Sequence, residues 1–410
     1  MYYRKITSNL KAALSDTPVV VINGARQTGK STLVKQFAES DYPAKYFTLD
    51  DMGVLAAAHQ DPAGFIEGLP GPVIIDEIQR EPALFLPIKA KVDRDRKPGS
   101  FLLTGSADVM LLPKISKILA GRMELLTLWP LSQCEIAANK QCFIDTLFSD
   151  RILDLKTSDI DRSVLTKSIL SGGFPEALSR PSEVRRKAWF HSYITTILQR
   201  EIKDLSNIEE LTVIPRLLSL LASRIASLLN VSELSRSISI AQTTLKRYIA
   251  LLEATFLLRP LPAWSGNLGK RLVKSPKVML CDTGLAAYLL GADKQRVEKM
   301  PELIGPLLEN FAVMELQKQT TWSMTQPKIF HFRSQTGQEV DVILENPAGQ
   351  IVAIEIKSAT TAKAEDFQGL KFLESTIGER LINGIVFYCG SQIIPFGRNL
   401  YALPISMMWK

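Results

Sequence analysis

The 410-residue sequence holds only four cysteines, Cys134, Cys142, Cys281 and Cys389, with no Cys-x-x-Cys pair among them. Neither a disulfide framework nor a zinc ribbon is indicated. Histidine is scarcer still: His59, His191 and His331 stand far apart, which speaks against a His-rich metal centre and against a Ser-His-Asp triad. Long hydrophobic runs are missing as well, and the stretch from Ile214 to Val231 is broken by Arg216 and Arg224, as in an amphipathic helix. The opening MYYRKITSNLKAAL lacks the apolar core of a signal peptide. These absences predict a cytoplasmic chain with no membrane partner. Neither sign of charge is lacking, and the net +7 is a mild pointer to an anionic partner that a solubility surplus explains equally well. With 46% hydrophobic and 22% charged residues the chain has room for two or three globular domains.

What is present begins at residues 19 to 33, VVVINGARQTGKSTL. An apolar β-branched run ends at Asn23, and Gly24-Ala25-Arg26-Gln27-Thr28-Gly29-Lys30-Ser31 follows the G-x-x-x-x-G-K-[ST] pattern before a helical stretch through Phe37. Gly24 and Gly29 let a loop fold tightly so that backbone N–H groups and a helix N-terminus point at an anion. Lys30 reaches β- and γ-phosphates, and the Ser31 hydroxyl joins a Mg2+ shell. The pattern predicts ATP and Mg2+ bound by residues 24 to 32, Thr32 included.

In GPVIIDEIQR, residues 71 to 80, the run Val73 to Ile75 ends at Asp76 and Glu77. Parallel α/β sheets place ligands at that end of a strand. Asp76 suits a water-mediated Mg2+ shell, and Glu77 suits activation of the attacking water. The plainer alternative is a helix cap. Another strand, Ser100 to Leu103, leads to Thr104 and Ser106, either a sensor hydroxyl for water or γ-phosphate or again a cap. Strands at Lys45 to Leu49 and Met123 to Leu128 complete about five, interleaved with helices, which predicts an α/β fold with a parallel, doubly covered sheet.

The ordered set VVVINGARQTGKSTLVKQF, VIIDEIQREPALFLPIKAKVD, FLLTGSADVMLL, LAGRMELLTLWPLSQCE, SGGFPEAL, YITTILQREIKDL, KSPKVMLCDTGLAAYLLG and LLENFAVMEL resembles the predicted AAA-type ATPases of bacteria and archaea whose C-terminal half is a domain of unknown function. The resemblance implies ATP binding through Gly24 to Ser31 and Asp76, and a C-terminal half similar to the PD-(D/E)xK (restriction-endonuclease-like) nuclease fold. The expected division is a P-loop NTPase domain over 1–164, a helical linker with a winged helix-turn-helix over 165–270, and a nuclease-like α/β domain over 271–410. In that frame Arg122 is either a finger that stabilises transition-state charge, in its own or a neighbouring chain, or a partner that pins a carboxylate.

Between residues 230 and 264, Val231 to Ser237 and Gln242 to Phe256 read as two helices around a Ser239-Ile-Ala turn, the outline of a winged helix. Leu245, Ile249, Leu252 and Phe256 form the core stripe, so Thr243, Lys246 and Arg247 face outward, toward duplex DNA or simply toward solvent. A basic run, Lys270, Arg271, Lys274 and Lys277, follows.

Residues 339 to 358, EVDVILENPAGQIVAIEIKS, alternate apolar and polar residues around an Asn-Pro-Ala-Gly turn, a hairpin signature. Side chains two apart share a face, which groups Glu339, Asp341 and Glu345 on one strand and Glu355 with Lys357 on the other. Asp341 and Glu355 have the chemistry to hold Mg2+, with Lys357 to position water. Glu309, on the helix before the hairpin, resembles the acidic helix residue of the nuclease-like superfamily, and Gln338 and Glu339 flank the hairpin entry as candidate substrate-contacting or supporting groups. The alternative is a surface Glu-x-Lys ion pair, but IVAIEIK is too apolar for an exposed ribbon and predicts a central strand. The whole reads as a Mg2+-dependent ATPase associated with DNA. Its rival is a slow ATPase switch whose degenerate nuclease fold faces a protein partner or a second copy.

Overall fold

The computed structural model describes residues 2–106, 118–139, 142–149, 152–154, 161–201, 213–267, 269, 271 and 274–409. Lys270 of the basic run lies outside them.

Five parallel strands form the first sheet: β1 (Val19–Asn23), β2 (Lys45–Thr48), β3 (Val73–Asp76), β4 (Phe101–Gly105) and β5 (Met123–Thr127), in the order β2-β3-β4-β1-β5. β1, β3 and β4 are buried along their whole length, as strands covered on both faces must be. Val19, Val21, Ile75 and Leu103 pack on one side with Phe85 and Ile88, whereas Val20, Ile22, Ile74 and Leu102 pack on the other with Leu33 and Phe37. Because all strands run the same way, the residues after β1, β3 and β4 meet along one edge. The expected parallel, doubly covered sheet is the one observed.

The central part is helical. Val231–Ile238 and Gln242–Ala254 are helices, separated by Ser239 in the left-handed region at φ 58°. Leu245, Ile249, Leu252 and Phe256 are all buried. Beyond them the chain doubles back, with antiparallel bridges Leu258 to Leu280 and Leu261 to Lys277.

A mixed six-stranded sheet follows: β6 (Lys328–Arg333), β7 (Glu339–Glu345), β8 (Ile351–Ile356), β9 (Leu381–Tyr388), β10 (Ile394–Pro395) and β11 (Leu400–Pro404), ordered β10-β11-β9-β8-β7-β6. The β7–β8 hairpin is antiparallel and β8 is buried and central, as expected. Opposite β6, however, β7 takes three steps from Val340 to Ile343 where β6 takes two from Phe330 to Phe332, a bulge. The extra residue breaks the alternation of side chains. Asp341 and Glu345 consequently have separate partners, Lys277 for the first and Arg271 with Arg380 for the second, and the expected single face of Glu339, Asp341 and Glu345 does not form.

The long helix Ile304–Thr320 lies on this sheet, Leu307, Phe311 and Leu316 joining Val342, Leu344, Val352 and Ile354 in one cluster. That cluster also takes in Leu245, Phe174, Trp129 and Ala25, so the long helix shares a core with the central helices and reaches the edge of the first sheet, whose own faces pack separately. No helix among the described residues is long and apolar enough to cross a membrane.

Candidate functional site

The phosphate loop leaves β1 through Gly24, whose φ of 147° and whose close approach to Leu128 (a Cβ would lie 2.2 Å from its carbonyl oxygen) admit only glycine. Gln27 at φ 62° and Gly29 at φ 96° turn the chain into the helix Lys30–Ser40. Lys30 is buried, and its Nζ donates to the carbonyls of Gly24 and Ala25, both at 2.8 Å. Arg26 is half-buried, Thr28 buried, and Gln27 and Thr32 are exposed. Ser31 Oγ donates to Asp76 Oδ1 at 3.1 Å across the β1–β3 gap.

Asp76 is the hub of this edge. Thr104 Oγ1 donates to its Oδ1 and Tyr46 OH to its Oδ2, the latter at 2.6 Å. Glu77 has a left-handed backbone, φ 60° and ψ 42°, an arrangement that stores strain for a non-glycine residue. Its N–H donates to Thr104 Oγ1 at 3.2 Å. Gln79 Nε2 donates both to Glu77 Oε2 and, at 3.0 Å, to Ser106 Oγ. Burial raises the Glu77 carboxyl above the usual range, with Lys30 and Gln79 opposing that rise.

Arg122 sits elsewhere. It directly precedes β5, at the edge of the sheet opposite the phosphate loop, and its guanidinium holds Asp93 through Nε and, at 3.1 Å, Nη2. Distance along β5 separates it from the phosphate loop of its own chain, so the reading in which it pins a carboxylate is the one observed.

In the C-terminal half, Glu309, Asp341 and Glu355 come together, but around an ammonium. Lys277, the last residue of the basic run, is buried and donates to Glu309 Oε1 at 2.6 Å and Asp341 Oδ1 at 2.9 Å. Its backbone pairing with Leu228 and Leu261 turns it inward. Asp341 N–H donates to Glu355 Oε2 at 3.1 Å, and Ile356 N–H donates to Asp341 Oδ2 at 3.0 Å. Lys357 Nζ stands 3.7 Å from Glu355 Oε1 and is partly exposed. Burial and Asp341 push Glu309 up to about 7 against the pull of Lys277. For Lys277, burial is outweighed by Asp341 and Glu309, which hold it above the ordinary lysine range. Among the described residues no group of three or more His, Cys, Asp or Glu side chains is disposed to hold a metal ion. Gln338 closes a turn with Ser334, and Glu339 pairs with Arg333 at 2.8 Å. Arg271 holds Glu345 by two bonds of 2.6 and 3.0 Å, and Lys274 donates to the carbonyl of Arg333. Thr243, Lys246 and Arg247 are exposed on the Gln242–Ala254 helix.

Two proteins are similar to this chain over nearly its full length. These are the uncharacterized proteins Rv2008c of Mycobacterium tuberculosis and Mb2031c of Mycobacterium bovis, each 31% identical over 99% of this chain and 84% of its own length. The chain belongs to their family. Within this family member, residues 16–137 match the family described as AAA domain and form an AAA-type P-loop domain. Residues 162–296 and 304–408 match two families described as Domain of unknown function (DUF8612) and Domain of unknown function (DUF4143). A RuvB variant from Thermotoga maritima is among the similar solved structures, at 17% identity and a TM-score of 0.31, covering 72% of this chain and 92% of that one.

Several site residues escaped the sequence reading. Arg4 is buried beneath the phosphate loop, donating to Thr28 O and Trp129 O at 2.6 Å each and to Glu135 at 3.0 Å. Tyr46 and Gln79 hold the two carboxylates of Asp76 and Glu77. None has a motif of its own. For Lys277 the available signal was its place in an apolar stretch, KVMLC, which favours burial.

Proposed function

We propose that this chain binds ATP with Mg2+ at residues 24 to 32 and hydrolyses it, and that its central helices engage duplex DNA. The observation that carries the first part is the Ser31 hydroxyl bonded to the Asp76 carboxylate, with Glu77 next in sequence. The donor set suits the ligand: a glycine-opened loop leading into a helix N-terminus, a buried ammonium, and a hydroxyl meeting a carboxylate. Bound Mg2+, held by Ser31 and Asp76, would neutralise charge on the phosphate oxygens. Lys30 exchanges the carbonyls of Gly24 and Ala25 for β/γ-phosphate oxygens. Glu77, with its raised pKa, accepts or orients the proton of the attacking water. Ser106, joined to Glu77 through Gln79, is placed to hold that water. Arg122 reaches a nucleotide only in another copy.

The helix-turn-helix outline and the ribbon behind it support a winged helix, with Thr243, Lys246 and Arg247 toward the duplex. One observation favours the rival for the C-terminal half. The Lys277 ammonium fills the space between Glu309 and Asp341 that a shared metal ion would need, with Glu355 and Lys357 alongside. This supports a nuclease-like fold neutralised from within and presented to a protein partner.

ATP turnover measured with and without duplex DNA tests the reading. DNA stimulation is expected. Turnover indifferent to DNA favours the partner-binding switch, and no Mg2+-dependent turnover at all removes the catalytic assignment. Lys30→Ala should lose nucleotide binding, whereas Glu77→Gln should retain binding and lose hydrolysis. A Glu77→Gln protein that turns over at the parent rate clears Glu77 of the role.

A further inference from the structure

Away from both carboxylate clusters, a cavity of about 680 Å³ opens among the helices Arg162–Ser171, Glu183–Thr196, Thr283–Leu290 and Lys294–Lys299. Small-molecule sites typically occupy roughly 300–1,000 Å³. The floor is apolar, built from Leu170, Ala287, Val297 and Ile304, and one wall is the stacked pair Phe190 and Tyr288, ring centroids 6.1 Å apart. The rim is cationic: Arg162, Lys167, Arg186, Lys187 and Lys294 outnumber Glu183 and Glu298. Lys187 is already held by Glu183 at 3.1 Å and Asp293 at 3.0 Å. Among the described residues, Arg162, Lys167 and Arg186 pair with no carboxylate.

An apolar floor under unneutralised cations satisfies two demands at once only when an anion with an apolar body fills it. Water wets the floor unfavourably, and the rim charges repel one another. We infer that this cavity is a binding site for an amphipathic organic anion. Its aromatic or aliphatic body lies against Phe190, Tyr288 and Ala287, and its carboxylate, sulfonate or phosphate lies among Arg162, Lys167 and Arg186. The inference does not rest on the nucleotide reading, because none of these residues belongs to the phosphate loop.

The test uses the full chain and two fluorescent probes of similar shape, anilinonaphthalene sulfonate and its uncharged analogue phenylnaphthylamine. One saturable sulfonate site is expected, bound more tightly than the neutral probe and weakened by salt. Lys167→Ala with Arg186→Ala should weaken the sulfonate probe about a hundredfold, roughly tenfold per lost charged contact, and leave the neutral probe unchanged. Thr166→Trp, which fills the mouth, should displace both probes, with folding checked by circular dichroism. No saturable binding, or binding unaltered in both variants, overturns the site. Equal losses for the two probes in the double variant overturn the anionic part. If the double variant does not fold, the salt titration and Thr166→Trp decide: a sulfonate affinity insensitive to both rejects the inference.

Discussion

Glu77 unites strain and burial at one residue. Its backbone is left-handed, its side chain accepts from Gln79, and burial raises its pKa against the attraction of Lys30. Only the ionised form accepts a proton, so hydrolysis should decline on acidification, along a limb displaced above the ordinary carboxylate range. A pH–rate profile checks this, and a limb at the ordinary carboxylate position would mean that burial is relieved in the working enzyme. Glu355 shows a rise of the same sign in the C-terminal half. Burial and Asp341 push its carboxyl up to about 9 against the pull of Lys357. A raised acid stabilises the fold fully below its unfolded value of about 4.3, and that contribution is lost as pH rises through about 9. Glu355→Gln keeps an acceptor for Asp341 N–H without the ionisation. Its melting temperature relative to the parent should therefore climb between pH ~5 and ~9. A difference that stays flat over that range would show Glu355 ionised throughout.

Among the elements, the Gln242–Ala254 helix was the most legible. Its buried stripe recurs at helical spacing and its basic residues fall on the exposed face, as read from sequence. Lys246→Ala with Arg247→Ala should weaken duplex binding and reduce the slope of log affinity against log salt by up to about two units, one per lost phosphate contact. An unaltered slope with the helix intact would return this face to solvent. β7 was less legible. Its alternation predicted one acidic face, but a bulge opposite β6 depends on the pairing partner and leaves no mark in β7 itself.

At the scale of the molecule, a buried charged seam joins the nucleotide domain to the long helix. Arg4 links Thr28 of the phosphate loop to Glu135, Gln133 N–H donates to Glu315 at 2.7 Å, and Lys318 bonds Glu315 at 2.8 Å and the carbonyl of Leu131 at 3.0 Å. The other end of the same helix carries Glu309 of the Lys277 cluster. Lys318→Ala leaves the Glu315 carboxylate buried without its ammonium, a loss of about 3–5 kcal/mol. Chemical denaturation should register it as a lowered midpoint for both halves together, since this buried seam joins them. A midpoint change confined to one half would separate the two.

The sequence alone determined what contiguous residues can build. The phosphate loop, the Asp-Glu strand end, the five strands and the helix-turn-helix outline each lie within a few turns or strand steps, where spacing dictates geometry. Partners reached by the returning chain were decided only in three dimensions. Arg4 meets Glu135 at a separation of 131 residues, and Lys277 meets Glu309 and Asp341 at separations of 32 and 64. A carboxylate reads the same in sequence whether it faces a metal ion, water or a lysine. At Asp341 the choice fell to Lys277, because its strand pairing buries the ammonium, and a buried ammonium is stable only beside carboxylates.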